Sequence, residues 1–181
     1  MKAAKLLVVA LVPVLLALKS PDFPSTTIKK ELYAKNDFRG KPFKQIQWGQ
    51  TVLGQIPSKQ EMSGKVLLID LWATWCGPCR AVIPEMNKWA KKFEKDLVIV
   101  GVSDEKPEVI QEFAKATPMN YAVTSDSTKS MSKALGVAGI PHVIVMSKDG
   151  VVRYQGFPLQ EEDKLTTEKL AQIIEANKAL K

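Results

Sequence analysis

The clearest order in this chain is the way its apolar residues gather. Val66-Leu67-Leu68-Ile69-Asp70-Leu71-Trp72-Ala73 is almost wholly apolar, the pattern of a strand covered on both faces. Met62-Ser63-Gly64-Lys65 reads as the turn that launches it. From about Cys76 the spacing becomes helical, with Ala81, Val82, Met86, Trp89 and Phe93 recurring and Pro78 in a first-turn position. Leu97 to Val102 predicts a second buried strand, and Glu105 to Ala116 a helix after Asp104. Tyr121 to Val123 predicts a short strand, and Ser127 to Leu135 a helix that ends before Gly136. Val143 to Met146, the turn Lys148-Asp149-Gly150 and Val151 to Tyr154 form a hairpin pattern. The tail sets Leu170, Ile173 and Ile174 on one helical face, with Thr166 or Thr167 as its cap. Residues 26 to about 64 mix Phe43, Ile46, Trp48, Val52 and Leu53 with Gln, Gly and Lys, which predicts short strands and turns. Strands alternating with helices predict an α/β sheet covered on both sides.

The candidate chemistry gathers in Trp75-Cys76-Gly77-Pro78-Cys79, which holds both cysteines of the chain. Two thiols at this spacing can close a reversible disulfide or bind a metal. A bridge over so short a loop constrains little of the unfolded chain, so redox chemistry is the first reading. Free N–H groups and the positive dipole end at a helix N-terminus would lower the pKa of Cys76 and make it the attacking thiol. Cys79, almost one turn later, is then placed to resolve a mixed disulfide. A four-ligand zinc site lacks partners in a chain with one histidine and no third cysteine.

Two further residues bear on that site. Asp70 interrupts the apolar strand on the face of Val66, Leu68 and Trp72. Burial favours its neutral form, which suits it to exchange a proton with Cys79. His142 is the one histidine and directly follows Pro141. It could tune Cys76, or complete a copper(I) site with Cys76 and Cys79, since soft thiolates suit that ion. It could equally be a polar residue at a strand start, turned away from the cysteines. The second functional reading is therefore a copper(I)-carrying protein using Cys76, Cys79 and His142.

Composition changes this picture at one end. Hydrophobic residues make up 45% and charged residues 25% of the chain, as in an ordinary globular protein. The net charge is +7, but the lysines are scattered and interleave with no aromatic run, which excludes a nucleic-acid partner. Met1-Lys2-Ala3-Ala4-Lys5 and the uncharged stretch Leu6 to Leu18 have the layout of an export signal. As a helix that stretch would reach about 20 Å, short of a bilayer core of roughly 30 Å. Residues 1–20 are read as a signal peptide or a short membrane anchor, 21–39 as a linker and 40–181 as the domain. Export places the domain in the periplasm or cell envelope.

Residues 66 to 80, Val-Leu-Leu-Ile-Asp-Leu-Trp-Ala-Thr-Trp-Cys-Gly-Pro-Cys-Arg, resemble the active-site strand and helix of thioredoxins. Pro84 resembles the kink proline of that helix, and Gly139-Ile140-Pro141 resembles the loop whose cis-proline faces the cysteines. The exported head, the segment before the active-site strand and the long stretch from Cys79 to Pro141 resemble the TlpA/ResA-like envelope group. The resemblance implies a thioredoxin-like α/β fold: a central mixed sheet with helices on both faces, and an extra strand and helix between the active-site helix and the cis-proline loop. It implies a thiol–disulfide oxidoreductase whose redox-active disulfide, Cys76–Cys79, needs no other cofactor. Cys76, Cys79 and Asp70 would be catalytic, and Trp75, Gly77, Pro78, Ile140 and Pro141 would meet the substrate. Its partners would be protein disulfides and an upstream membrane electron donor, with cytochrome c maturation among the roles of such relatives.

Overall fold

The computed structural model describes residues 21–181; the segment 1–20, read as a signal or anchor, lies outside the described residues. Six strands form one sheet: β1 (Gln50–Leu53), β2 (Val66–Leu71), β3 (Leu97–Ser103), β4 (Ala122–Ser125), β5 (His142–Met146) and β6 (Val152–Gly156). Their order across the sheet is β1-β4-β3-β2-β5-β6. β2, β3 and β4 run parallel, while β1, β5 and β6 pair antiparallel with their neighbours, giving the mixed sheet expected. The helices are α1 (Lys59–Met62), α2 (Gly77–Lys92), α3 (Pro107–Ala116), α4 (Ser130–Leu135) and α5 (Thr167–Lys178).

Because side chains alternate along each strand, the sheet builds two cores. One face carries Val66, Leu68, Val143 and Val145 and buries them with Met86 and Trp89 of α2, Ile110 of α3 and Ile173 of α5. The other carries Ile69, Leu71, Val100 and Ile144 under Phe43 and α4, through Met131 and Leu135. β2 runs through the middle and is covered on both sides, which is why it reads as continuously apolar. β3, α3, β4 and α4 all lie between α2 and the loop before β5, and this is the room that the sequence left for an added strand and helix.

Strand ends shift by one or two residues from the sequence reading, and two helices start two or three residues later than read. α3 begins at Pro107 rather than Glu105, with Pro in the first helical turn where its missing N–H costs nothing. α4 begins at Ser130, because Asp126 and Thr128 are held in a turn that presents Asp126 to the Met131 N–H at 2.9 Å. The segment 21–39, read as a linker, is packed onto the domain over much of its length. Lys35 N–H donates to the Gly136 carbonyl at 2.8 Å, and the Lys30 ammonium reaches Asp163 at 2.5 Å with its side chain fully buried.

Candidate active site

Cys76 caps the N-terminus of α2 and is joined by a disulfide to Cys79. The chain turns straight from the end of β2 into this helix. Ala73 O accepts the Cys76 N–H at 3.1 Å, and Cys76 Sγ in turn accepts the Cys79 N–H at 3.2 Å. That contact places a sulfur among the free N–H groups and the positive dipole end of α2, which favour a thiolate on Cys76. Cys79 is fully buried, while Cys76 retains 4% exposure. Gly77 has open space where a Cβ would stand, so the mouth of the site is uncrowded.

Across from the sulfurs is the loop that enters β5. The Ile140–Pro141 bond is cis, and the Ile140 carbonyl oxygen lies 3.7 Å from Cys76 Sγ. Trp75, 71% exposed, stands beside it. Trp75 and Ile140 line a shallow groove with Leu71, Trp72, Asp104 and Lys129, and the Ile140 carbonyl ties that groove to Cys76. Pro84, inside α2, removes one helical N–H donor a turn and a half beyond the cysteines.

Asp70 is 1% exposed on the face of β2 that also holds Val66, Leu68 and Trp72, in the core that contains Cys79. Neither carboxyl oxygen has a hydrogen-bond partner. Burial alone therefore pushes its pKa up to about 7. A carboxyl group poised near neutrality can give or take a proton at ordinary pH.

His142 does not join this site. In the β2–β5 register it pairs with Leu71 while Asp70 pairs with Val143, so its ring projects from the opposite face of the sheet. There its Nε2 lies 3.3 Å from Gln155 Nε2. Burial, reinforced by the Lys30 charge, holds its pKa down to about 4. Among the described residues no three His, Cys, Asp or Glu side chains come together to hold a metal ion. The copper(I) site of Cys76, Cys79 and His142 is thus corrected: the sheet stands between the thiols and the imidazole. Strand alternation from Val143, an apolar residue on the cysteine side, is the signal that separates them.

One acid beside the site was missed in the sequence, where it read as the start of a helix. Glu105 accepts hydrogen bonds from both the backbone N–H and the hydroxyl of Thr74, two residues before Cys76. Nothing local in the sequence joins residues 31 positions apart.

The chain is similar to proteins of known class. The thioredoxin-like protein YneN of Bacillus subtilis is 32% identical over 108 residues, covering 58% of this chain and 63% of that protein. The thiol-disulfide oxidoreductase ResA of Bacillus thuringiensis is 30% identical over 95 residues, covering 51% of this chain and 55% of that protein. The chain thus spans between half and two thirds of the length of these relatives. A solved thiol-disulfide isomerase from Corynebacterium glutamicum superposes with a TM-score of 0.62 at 16% identity, covering 78% of this chain and 98% of that one. That likeness shows the thioredoxin-like fold. The pattern of the AhpC/TSA family matches residues 19–155, well over half of the chain. With its thioredoxin-like sheet and paired cysteines at the head of α2, the chain belongs to the AhpC/TSA family.

Proposed function

We propose that this protein is a thiol–disulfide oxidoreductase that reduces protein disulfides outside the cytoplasm. The observation that carries the reading is the Cys76–Cys79 disulfide at the N-terminus of α2, with the Cys76 sulfur facing the Ile140–Pro141 loop. In the reduced protein the Cys76 thiolate attacks one sulfur of a client disulfide. An S–S bond forms between Cys76 and the client, and the second client sulfur leaves as a thiolate. Cys79 then gives up its proton, with Asp70 as the acceptor, and attacks Cys76 Sγ. The mixed disulfide breaks, the client gains two electrons as a dithiol, and Cys76–Cys79 is left oxidised. A membrane dithiol donor upstream resets the pair.

Trp75, Gly77, Pro78, Ile140 and Pro141 form the surface that the client meets. The positive head Met1–Lys5 and the apolar stretch Leu6 to Leu18 support export, with residence in the periplasm or cell envelope. The names borne by YneN and ResA support the redox class. Both cysteines of this chain are in one pair, which leaves no separate peroxidatic thiol and favours disulfide exchange over peroxide reduction.

The test is Cys79→Ser, which halts the reaction at the mixed disulfide. Client proteins trapped on Cys76 and released by reductant support the reading. Capture of an apocytochrome assigns the protein to cytochrome c maturation, and a broad set assigns it to general reduction. No trapped partner overturns it. The direction is read from the equilibrium potential: a value nearer about −270 mV than −120 mV supports reduction, and the reverse makes the protein an oxidase.

A further inference from the structure

The segment that presents Cys76 is anchored from outside by a single side chain. Glu105 lies between β3 and α3 and turns its carboxylate back toward the end of β2. Its Oε2 accepts the Thr74 backbone N–H at 2.7 Å, and its Oε1 accepts the Thr74 hydroxyl, also at 2.7 Å. Ser103 steadies the carboxylate by donating its hydroxyl to Oε2 at 3.0 Å while accepting the Glu105 N–H at 3.2 Å. Ser125 of β4 donates its hydroxyl to the Glu105 carbonyl at 2.7 Å. The ends of β3 and β4 therefore grip Glu105, and Glu105 grips Thr74.

Thr74 belongs to the short stretch 72–76 between β2 and α2. The stretch is also held by backbone bonds, from Trp72 N–H to the Val102 carbonyl and from Cys76 N–H to the Ala73 carbonyl, both at 3.1 Å, and Cys76 itself is tied to α2 through Cys79 and Arg80. Bonds to a carboxylate are about twice as strong as neutral ones. The Glu105 pair is thus a charge-assisted restraint on the approach to Cys76, applied at Thr74 from the end of β3.

We propose that Glu105 is a positioning residue for thiol–disulfide exchange: by holding Thr74 at both its backbone and its hydroxyl, it fixes Cys76 against the Ile140–Pro141 loop. The proposal rests on the oxidoreductase reading given above. Exchange requires the attacking, central and leaving sulfurs to align, and the client enters where Cys76 Sγ stands 3.7 Å from the Ile140 oxygen. A shift of about 1 Å in such an arrangement can cost about a hundredfold in rate. Glu105 touches none of the sulfurs and acts through Thr74.

The test measures the second-order rate at which the reduced protein cleaves insulin disulfides, at a temperature where circular dichroism shows each variant folded. Glu105→Ala is expected to slow cleavage by about tenfold or more, part of the roughly hundredfold that a misplacement of about 1 Å can cost. Glu105→Gln should recover most of the rate. Its amide oxygen still accepts the Thr74 N–H, and its amide nitrogen can donate to the Thr74 hydroxyl, which serves as donor or acceptor. Thr74→Val, which loses one of the two bonds, should fall between. A folded Glu105→Ala that reacts at the wild-type rate overturns the proposal, and so does a Glu105→Gln as slow as Glu105→Ala. Should Glu105→Ala not fold, wild-type rates in Thr74→Val together with a slow Glu105→Gln overturn it, and the reverse order supports it. A wild-type protein that cleaves no disulfide sinks the oxidoreductase reading itself, a result distinct from equal rates in wild type and variants.

Discussion

Asp70 and His142 sit one register step apart across the β2–β5 pair and project from opposite faces of the sheet. Burial drives both toward neutrality, which means a protonated acid at one and an unprotonated base at the other. The two titrations consequently burden the folded state at opposite ends of the pH range.

The folded chain keeps the Asp70 proton up to about pH 7, against an ordinary value of 3.8. Between those values the folded state binds more protons than the unfolded one, so stability falls as pH rises. The full effect is about 4 kcal/mol as an upper bound. Asp70→Asn is therefore expected to stabilise the protein strongly at pH 8 and hardly at all at pH 4, as measured by urea unfolding. The same substitution should remove an inflection near neutrality from the pH profile of the resolving step. An Asn variant equally stabilised at both pH values would mean that the carboxyl is not buried in the neutral form.

His142 gives the opposite sign. Its folded value of about 4 lies below its ordinary 6.5, so the unfolded chain takes up the proton first as pH falls. Its contribution to stability is full above about pH 6.5 and is lost progressively down to pH 4, by about 3 kcal/mol. His142→Gln should lose less stability than wild type between pH 7 and 4.5, with disulfide-exchange rates at pH 7 unchanged because the ring lies across the sheet from the thiols. Thermal melting across that range checks the first expectation. A large loss of exchange in this variant would contradict the placement of the ring.

Much of this fold was legible in the sequence because its elements announce themselves locally. The run from Val66 and the helix from Cys76 appear within a residue or two of their predicted places, since β2 is buried on both faces and α2 has a strong apolar stripe. The region before β2 was less legible, because β1 and α1 are four residues each and their exposed positions carry no period. One signal there was readable: Ser58 and Glu61 form a capping box, with Ser58 N–H donating to Glu61 at 2.8 Å. What composition could not show were long-range polar contacts. Glu105 to Thr74 spans 31 positions and Lys30 to Asp163 spans 133, so the first looked like a helix start and the second like part of a linker.

A hydrogen-bonded chain joins the active-site helix to the C-terminal one. Trp89 Nε1–H donates to Thr167 Oγ1 at 2.8 Å, and the Thr167 hydroxyl donates to Glu85 at 2.9 Å. Trp89 is 3% exposed, so its indole N–H has no easy recourse to water. Thr167→Val should cost about 1–3 kcal/mol by stranding that donor, while Thr167→Ser should be close to wild type. Equal losses in the two variants would trace the effect to packing of the Thr methyl instead.

The N-terminal segment is fastened by charge in a buried place. The Lys30 ammonium is 2.5 Å from Asp163 and 3.9 Å from the centre of the Tyr154 ring, and Lys169 also pairs with Asp163. Burial pulls the Lys30 pKa down, and Asp163 pulls it back. Removing the anion leaves two ammonium groups facing each other with no partner. Removing Lys30 leaves an intact Lys169–Asp163 pair, and an apolar side chain can still cover Tyr154. Asp163→Asn should therefore cost about 3–5 kcal/mol and open residues 27–42 to protease, since breaking a buried pair leaves an uncompensated charge. Lys30→Met should cost much less and leave that segment protected. Denaturant unfolding and limited proteolysis of both variants decide between this account and simple packing, which predicts comparable losses from the two substitutions.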